Sequence, residues 1–213
     1  MIVHGYFRSS AAHRLRIALN LKGLRPELRS VHLRRGDQGS DAYRALNPQG
    51  LVPALDTGDG AVLTQSLAII EWLDETHPEP PLLPRDPLGR AQARAFAQVI
   101  ACDVHPLQNL RVLRYLTRSF GQDQDGLDAW CRHWIAPGLA ACEALASRGG
   151  SGDFAFGEVP GLAEICLVPQ MHSADRFGLD LAPYPRLRAL RARCEALPAF
   201  ADADPSVQPD TDA

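Results

Sequence analysis

A proline-rich segment divides this chain into two stretches with different secondary-structure signals. The segment reads PEPPLLPRDPLG at residues 78–89, and proline this dense is typical of a linker. Strand and helix patterns alternate before it, whereas only helical spacing of apolar residues follows it. The sequence therefore predicts an α/β domain at residues 1–80 and an all-helical domain at residues 87–213.

The first stretch has the order β-α-β followed by β-β-α. IVHGYF and ELRSVHL are predicted strands on either side of a helix from Ser10 to Lys22, which indicates a right-handed βαβ unit. LVPALDT and AVL flank GDG, the signal of a β-hairpin, and SLAIIEWLDETH reads as a helix opened by Ser66. This order predicts a thioredoxin-like domain.

The second stretch reads as a succession of helices. Asp86 and Pro87 are the expected cap and first residue of one of them, and LAEICLVPQMHSADRF and PRLRALRARCEAL predict two more. The final residues, ADADPSVQPDTDA, are polar, and we expect them to be loosely held.

Charge, hydropathy and cysteine spacing exclude several classes of protein. The net charge of -3 argues against a nucleic-acid partner, and no apolar run approaches the roughly 18 residues of a membrane-spanning helix. The five cysteines are widely spaced without a CxxC, which predicts neither a disulfide framework nor a metal site. We expect free thiols in a cytoplasmic protein.

The stretch YFRSSAAHRLRIAL places Arg8, Ser9 and Ser10 where a strand ends and a helix begins. The first backbone N–H groups of a helix lack partners, and its dipole favours negative charge there by about 0.3–2 kcal/mol. Lowering the pKa of a bound thiol by about two units needs about 2.7 kcal/mol. One hydroxyl bond to the charged sulfur, worth roughly 1.5–3 kcal/mol, together with the helix end would suffice. Two hypotheses stand: the serines only cap the helix, or they hold a thiolate.

Several motifs together resemble the zeta class of glutathione transferases. They are YFRSSAAHRLRIALNLKG, LNPQGLVPAL, QSLAIIEWLDE, HPLQNLRVL, CLVPQ and LAPYPRL. The resemblance covers nearly the whole chain, up to QPD near its end. It implies a thioredoxin-like domain followed by a helical bundle, glutathione as cofactor, and a homodimer. The class includes isomerases of maleylacetoacetate and maleylpyruvate, which serve the catabolism of aromatic compounds such as tyrosine.

The resemblance assigns the activation of glutathione to Ser9, with Ser10 and Arg8 beside it. Many members of the class carry a cysteine after the second serine, but this chain has Ala11, so no role for that cysteine carries over. His13 stands where many members carry tryptophan, and we expect a surface or packed imidazole rather than a base.

Further glutathione contacts in the first domain are also implied by the resemblance. The peptide bond before Pro53 is expected to be cis, and the backbone of Val52 would pair with the cysteinyl part of glutathione as an added strand. Gln65 and Ser66 would hold the γ-glutamyl carboxylate at the start of a helix, with Gln49 placed against the peptide. Without the resemblance, these residues read as an edge-strand proline with a trans bond and an ordinary cap.

In the second stretch, His105, Gln108 and Asn109 have i, i+3 and i+4 spacing and are predicted to share one helix face. The resemblance places this segment over the glutathione thiol, although a solvated helix face explains the pattern equally well. Pro106 is expected to disturb the helix nearby.

The resemblance implies an anionic, dicarboxylate-like substrate held by Arg8, Arg111 and Arg176. Guanidinium groups bind carboxylates at two points and stay charged. Addition of a thiolate to the conjugated alkene of a maleyl compound would make the double bond single and allow rotation before the thiol leaves. Arg8 or Arg111 would also stabilise the developing enolate.

One position departs from the pattern of the fold. Glutathione transferases usually begin the helix after FG with S/T-x-x-D, whereas this chain has Gly161 and Glu164 at the two ends of that motif. Since Glu164 can still reach the cap N–H, we expect the helix to form.

Three alternatives remain from the sequence. One is a general glutathione transferase acting on small haloacids, and another is a non-catalytic glutathione-binding protein. A thioredoxin-like disulfide reductase is disfavoured because the helix start lacks cysteine. The sequence does not choose between the two maleyl substrates.

Overall fold

The computed structural model describes residues 1–148 and 152–211. Contacts group the chain into two compact units, Met1–Leu82 with Glu195–Ala213, and Leu83–Cys194. The sequence had assigned everything from residue 87 onward to the helical domain. The structure instead groups the C-terminal segment with the first unit, because that segment packs on α1 (Ser10–Leu21).

A four-stranded mixed sheet forms the centre of the first unit, in the order β2-β1-β3-β4. The strands are β1 (Ile2–Gly5), β2 (Glu27–Ser30), β3 (Ala54–Asp56) and β4 (Val62–Thr64). Strand β1 is parallel to β2, and β3 is antiparallel to both β1 and β4. The predicted βαβ unit and hairpin are both confirmed.

Apolar side chains from α1, from β3 and from α3 (Ser66–Thr76) make the core of this unit. The larger ones among those that are 0% exposed are Leu15, Ile17, Leu55, Ile69 and Leu73. Each such side chain contributes about 1.5–3 kcal/mol on burial. This packing fixes the positions at which α1 and α3 begin.

The short helix α2 (Asp41–Leu46) is an element that the sequence analysis did not predict. Ser40 caps it by accepting a hydrogen bond from the Tyr43 N–H at 3.3 Å. It is too short to show helical periodicity in the sequence, and it leads directly into the loop before Pro53.

Helices make up the second unit, as predicted. They are α4 (Pro87–Gln98), a π-helical turn (Val99–Val104), a 3-10 turn (His105–Gln108), α5 (Leu110–Phe120), α6 (Gln124–Arg148), α7 (Leu162–Arg176) and α8 (Pro185–Glu195). Asp86 caps α4 and Pro87 is its first residue, which confirms that expectation. Along residues 1–148 and 152–211, no helix is long and apolar enough to cross a membrane.

The helix after FG forms with glycine at its cap. Gly161 precedes α7, and its N–H donates to Oε2 of Glu164 at 2.9 Å. The other oxygen of Glu164 accepts from the Ala155 N–H at 2.8 Å. Burial raises the pKa of this carboxyl group, although the backbone donors oppose that shift.

The C-terminal segment is folded through Thr211, contrary to the expectation of a loosely held tail. It contains α9 (Pro198–Ala201) and a 3-10 turn (Pro205–Val207). Gln208 is 8% exposed, and its Nε2 donates to the carbonyls of Asp202 and Asp204, both at 2.9 Å. A polar sequence can be well ordered when its side chains satisfy its own backbone, and that is the case here.

Candidate active site

Ser9 is the N-cap of α1, and Ser10 is the first residue of that helix. The Ser9 Oγ accepts a hydrogen bond from the Ala12 N–H at 3.2 Å. Ser9 therefore caps the helix, but capping uses only a lone pair of the hydroxyl. Its O–H remains a donor, and accepting from an amide strengthens that donor. Capping and thiolate binding are compatible at this residue.

Arg8 and His13 flank the two serines and differ in their surroundings. Arg8 is half-buried in the turn between β1 and α1. His13 is 2% exposed inside α1, which confirms a packed imidazole.

The turn before β3 contains the cis peptide bond that was expected between Val52 and Pro53. The Leu51 carbonyl just before it accepts two hydrogen bonds of 2.7 Å, from Tyr43 Oη and Asn47 Nδ2. Burial raises the pKa of Tyr43 to about 12, so the phenol is protonated and donates. The edge-strand reading with a trans bond is excluded.

The backbone of Val52 lies in this turn, next to the hydrogen-bonded Leu51 carbonyl. Among residues 1–148 and 152–211, no backbone group pairs with its N–H or carbonyl. Both groups are therefore available to an added strand.

Gln49 and Gln65 are joined directly, since Gln65 Nε2 donates to Gln49 Oε1 at 2.7 Å. Gln65 has φ of 69°, the one positive value at a non-glycine residue in the part of the chain that the structure describes. Such a conformation costs about 1–3 kcal/mol and is typical of functional sites. Gln49 and Gln65, both predicted to contact glutathione, are thus a hydrogen-bonded pair on the surface.

Ser66 is the first residue of α3 rather than its cap, which corrects the prediction that Ser66 opens the helix as a capping side chain. Gln65 occupies the cap position, and its side chain makes no capping hydrogen bond. The Ser66 hydroxyl is buried and lies 3.5 Å from Nη1 of Arg14, which is 1% exposed. The uncapped N–H groups of α3 therefore begin beside a buried cation.

Arg14 was missed by the sequence analysis. It shares the face of α1 that carries Ala11, Ala18 and Leu21, so helical spacing could have shown that it is buried. Only the fold could show that Ser66 is its neighbour, since the two residues are 52 positions apart.

The prediction that His105, Gln108 and Asn109 share one helix face is wrong. His105 and Gln108 lie in the 3-10 turn, whereas Asn109 has an extended backbone and caps α5 by accepting from the Arg111 N–H at 3.1 Å. Pro106 supplies no N–H, so the helix breaks here as expected. His105 and Asn109 are half-buried.

Gln108 is buried and faces Gln170 of α7. Its Nε2 donates to Oε1 of Gln170 at 2.6 Å, and Gln170 is 0% exposed. This contact holds the Gln108 side chain in place. A helix face that only meets solvent would not bury this side chain, so that alternative does not explain Gln108.

Arg111 and Arg176 are both exposed on the helical unit. Arg111 lies in the first turn of α5, and Arg176 is the last residue of α7, near the helix end where it was expected. The Arg176 guanidinium lies 4.6 Å from the centre of the Phe177 ring.

Comparison with known proteins agrees with this geometry. Residues 8–76 match the family model described as the N-terminal domain of glutathione S-transferase. The chain is 51% identical to a maleylpyruvate isomerase from Ralstonia sp over 99% of this chain and all of that protein. The chain belongs to the glutathione transferase family.

Two solved structures resemble this glutathione transferase over its full length. One is a holo maleylpyruvate isomerase described as a bacterial zeta-class glutathione transferase, with a TM-score of 0.97 and 51% identity over 100% of both chains. The other is a maleylacetoacetate isomerase from Anaeromyxobacter dehalogenans, with a TM-score of 0.88 and 42% identity over 99% of this chain and 93% of that one. Its active site contains dicarboxyethyl glutathione and citrate. The zeta-class resemblance is thereby confirmed.

The donors of the first unit fit glutathione chemically. The tripeptide presents a thiol, a cysteinyl amide and a γ-glutamyl carboxylate. The Ser9 hydroxyl suits the thiol, the open backbone of Val52 suits the amide, and the start of α3 beside Arg14 suits the carboxylate.

Proposed function

We propose that this glutathione transferase is a glutathione-dependent cis–trans isomerase that converts maleylacetoacetate or maleylpyruvate to the fumaryl isomer. It would serve the catabolism of aromatic compounds such as tyrosine. The observation that carries the proposal is the Ser9 hydroxyl, which accepts from the Ala12 N–H and keeps its own hydrogen to donate at the positive end of α1.

When bound, glutathione supplies a thiolate that adds to the alkene, so that the former double bond can rotate before the C–S bond breaks, the double bond forms again in the trans product and the thiolate is released. Ser9 donates its hydroxyl hydrogen to the sulfur anion and lowers the pKa of the thiol. The positive end of the α1 dipole, at Ser9 and Ser10, adds to this stabilisation. No cationic base is needed for the thiol to ionise near neutral pH.

Arg8, Arg111 and Arg176 bind the acidic groups of the substrate in this proposal. Guanidinium forks hold carboxylates at two points, which fits the related enzyme whose active site contains dicarboxyethyl glutathione and citrate. Arg8 adjoins Ser9 in the chain, and it would also stabilise the enolate that forms when a thiolate adds to the enone.

The two units have separate roles. The first unit binds glutathione through Ser9, Val52 and Ser66, with Gln49 and Gln65 against the peptide. The helical unit would bind the substrate, and His105, Gln108 and Asn109 are the residues proposed to contact the thiol. Gln108 would hold its orientation through Gln170.

An ultraviolet assay of maleylpyruvate and maleylacetoacetate with and without glutathione tests the function. We expect the fumaryl product to form only with glutathione, which should be recovered unchanged. A stable conjugate with an α-haloacid and no isomerisation would instead favour the haloacid transferase. Glutathione binding without turnover of either substrate would favour a non-catalytic binding protein.

We also propose a cytoplasmic homodimer. Exposed aromatic side chains support association, among them Tyr115 and Phe120 on α5, which are 60% and 63% exposed. Cys131 and Cys142 form no disulfide, which fits a reducing compartment. Light scattering during gel filtration tests the dimer, and cell fractionation tests the location.

A further inference from the structure

Both backbone polar groups of Phe7, the residue before Arg8, are held by side chains from elsewhere in the chain. Its N–H donates to Oδ2 of Asp210 at 3.0 Å, and its carbonyl accepts from Nη2 of Arg16 at 3.0 Å. Hydrogen bonds in which one partner is ionised are shorter and stronger than neutral ones. The peptide unit that leads into Arg8 and Ser9 is therefore fixed from both sides.

Asp210 connects this loop to the edge of the sheet. The same Oδ2 accepts from the hydroxyl of Ser30, the last residue of β2, at 3.1 Å. Strand β2 lies at the edge of the sheet, so it pairs with β1 on one side and with no strand of this sheet on the other. The Asp210 carboxylate thus bonds both to Phe7, just after β1 and close in sequence to Ser9, and to Ser30 at the end of β2.

Arg16 provides a second connection to the same segment. It is 9% exposed, and its Nε donates to the Ala203 carbonyl at 3.0 Å. Burial lowers the pKa of Arg16 to about 10, an effect that Asp210 and Asp204 oppose, so it remains charged at neutral pH. The C-terminal segment therefore reaches Phe7 at both of its polar groups, through Asp210 directly and through Ala203 by way of Arg16.

Hydrogen bonds within the C-terminal segment hold its own backbone together. Gln208 closes it on the carbonyls of Asp202 and Asp204, and Asp204 Oδ1 accepts from the Ser206 N–H at 2.8 Å. A cavity of about 240 Å³ is lined by Val3 and Leu28 of the sheet as well as by residues 208–210. Because that space is not filled by side chains, the hydrogen bonds of Asp210 and Arg16 are important in fixing the segment to the loop.

We propose that Asp210 is a positioning residue for thiol activation, and that the C-terminal segment is thereby part of the active-site scaffold. Asp210 touches neither glutathione nor substrate in this proposal. Asp210 fixes the orientation of the Phe7 amide. The position of that peptide unit in turn determines the directions in which Arg8 and the Ser9 hydroxyl point. The inference rests on the proposed function, because it presumes that Ser9 ionises the thiol.

The test compares Asp210→Ala and Asp210→Asn with the wild-type protein. Asp202→Asn is the matched control, since Asp202 is an exposed carboxylate of the same segment. Ultraviolet absorbance of the bound thiolate against pH gives the thiol pKa, and steady-state kinetics give kcat and KM. Thermal unfolding is measured in parallel.

We expect Asp210→Ala to raise the pKa of bound glutathione by about one unit and to lower kcat at neutral pH roughly tenfold to a hundredfold. The KM for the maleyl substrate should change little. Asp210→Asn keeps an oxygen acceptor for the Phe7 N–H and should recover much of the loss, whereas Asp202→Asn should match the wild type. If Asp210→Ala does not fold, Asp210→Asn should still raise the thiol pKa measurably, because an amide oxygen accepts more weakly than a carboxylate, and an unchanged thiol pKa in that variant would overturn the inference.

A lower unfolding temperature with an unchanged thiol pKa and kcat would overturn the inference, since Asp210 would then be only structural. Failure of the proposed function gives a different result. In that case the wild-type protein itself would not ionise bound glutathione or turn over the maleyl substrates.

Discussion

Arg14 Nη1 lies 3.5 Å from Ser66 Oγ, and both residues are buried in the first unit. A guanidinium group can only donate, so the serine oxygen accepts from it and the hydroxyl hydrogen points elsewhere. In the proposed function, the start of α3 would therefore offer an O–H donor, uncapped N–H groups and a buried positive charge to the γ-glutamyl carboxylate.

Replacing Ser66 by alanine should weaken glutathione binding roughly tenfold, because a hydrogen bond to a carboxylate is worth about 1.5–3 kcal/mol. Calorimetric titration with glutathione measures the loss, and kcat at saturation should change little. Arg14→Lys keeps the charge but not the planar fork, so it should show a smaller loss. If Ser66→Ala costs the same affinity in the Arg14→Lys background, the two residues do not act together.

Ser9 can be tested as a catalyst separately from its role as a cap. Ser9→Gly should cost only a few tenths of a kcal/mol of stability, because glycine is a tolerable N-cap, yet it removes the donor to the thiolate. We expect turnover to fall about a hundredfold, the loss typical of removing one donor to a reacting anion. Kinetics and urea unfolding are measured together.

The control for Ser9 is Asp86→Ala, which removes the cap of α4. It should lose about 1 kcal/mol of stability with normal turnover. If turnover instead follows stability across these variants, Ser9 is only a cap.

Arg176→Ala should raise the KM for the maleyl substrate about tenfold or more and leave kcat nearly unchanged, because it removes a carboxylate contact worth about 1.5–3 kcal/mol. Arg111→Ala is expected to behave similarly. Arg188→Ala is the control, since it removes the same charge from an exposed position of α8. If the KM of Arg176→Ala is unchanged, Arg176 does not bind the substrate, and its role is to stack on Phe177.

Tyr43 should make stability depend on alkaline pH. Burial raises its folded-state pKa to about 12 from an ordinary value near 10. The unfolded chain therefore loses the phenol proton first as the pH rises. The stability that Tyr43 contributes is fully present below about pH 10 and is lost as the pH approaches about 12.

Tyr43→Phe lacks this titration, so urea unfolding across that range should show the advantage of the wild-type protein shrinking. The variant also loses the hydrogen bond to the Leu51 carbonyl. A constant difference between the two proteins at every pH would contradict the assignment.

Local patterns were sufficient for much of the first unit. The hairpin around GDG and the helix after Ser9 follow from turn residues and from spacing within a few positions. The cis bond at Pro53 came from the resemblance, because the strand pattern alone favoured a trans bond. The prediction that Asn109 shares a helix face with His105 and Gln108 failed. Residue spacing alone does not show that the helical backbone is interrupted after Pro106.

The sequence by itself determined the succession of strands and helices, the serines at the start of α1 and the likeness to glutathione transferases. Only the tertiary structure decided that Arg14 meets Ser66 and that Asp210 meets Phe7. The second pair is separated by 203 positions. Side-chain contacts over such distances depend on how the elements pack, and packing leaves no periodic signal in the local sequence.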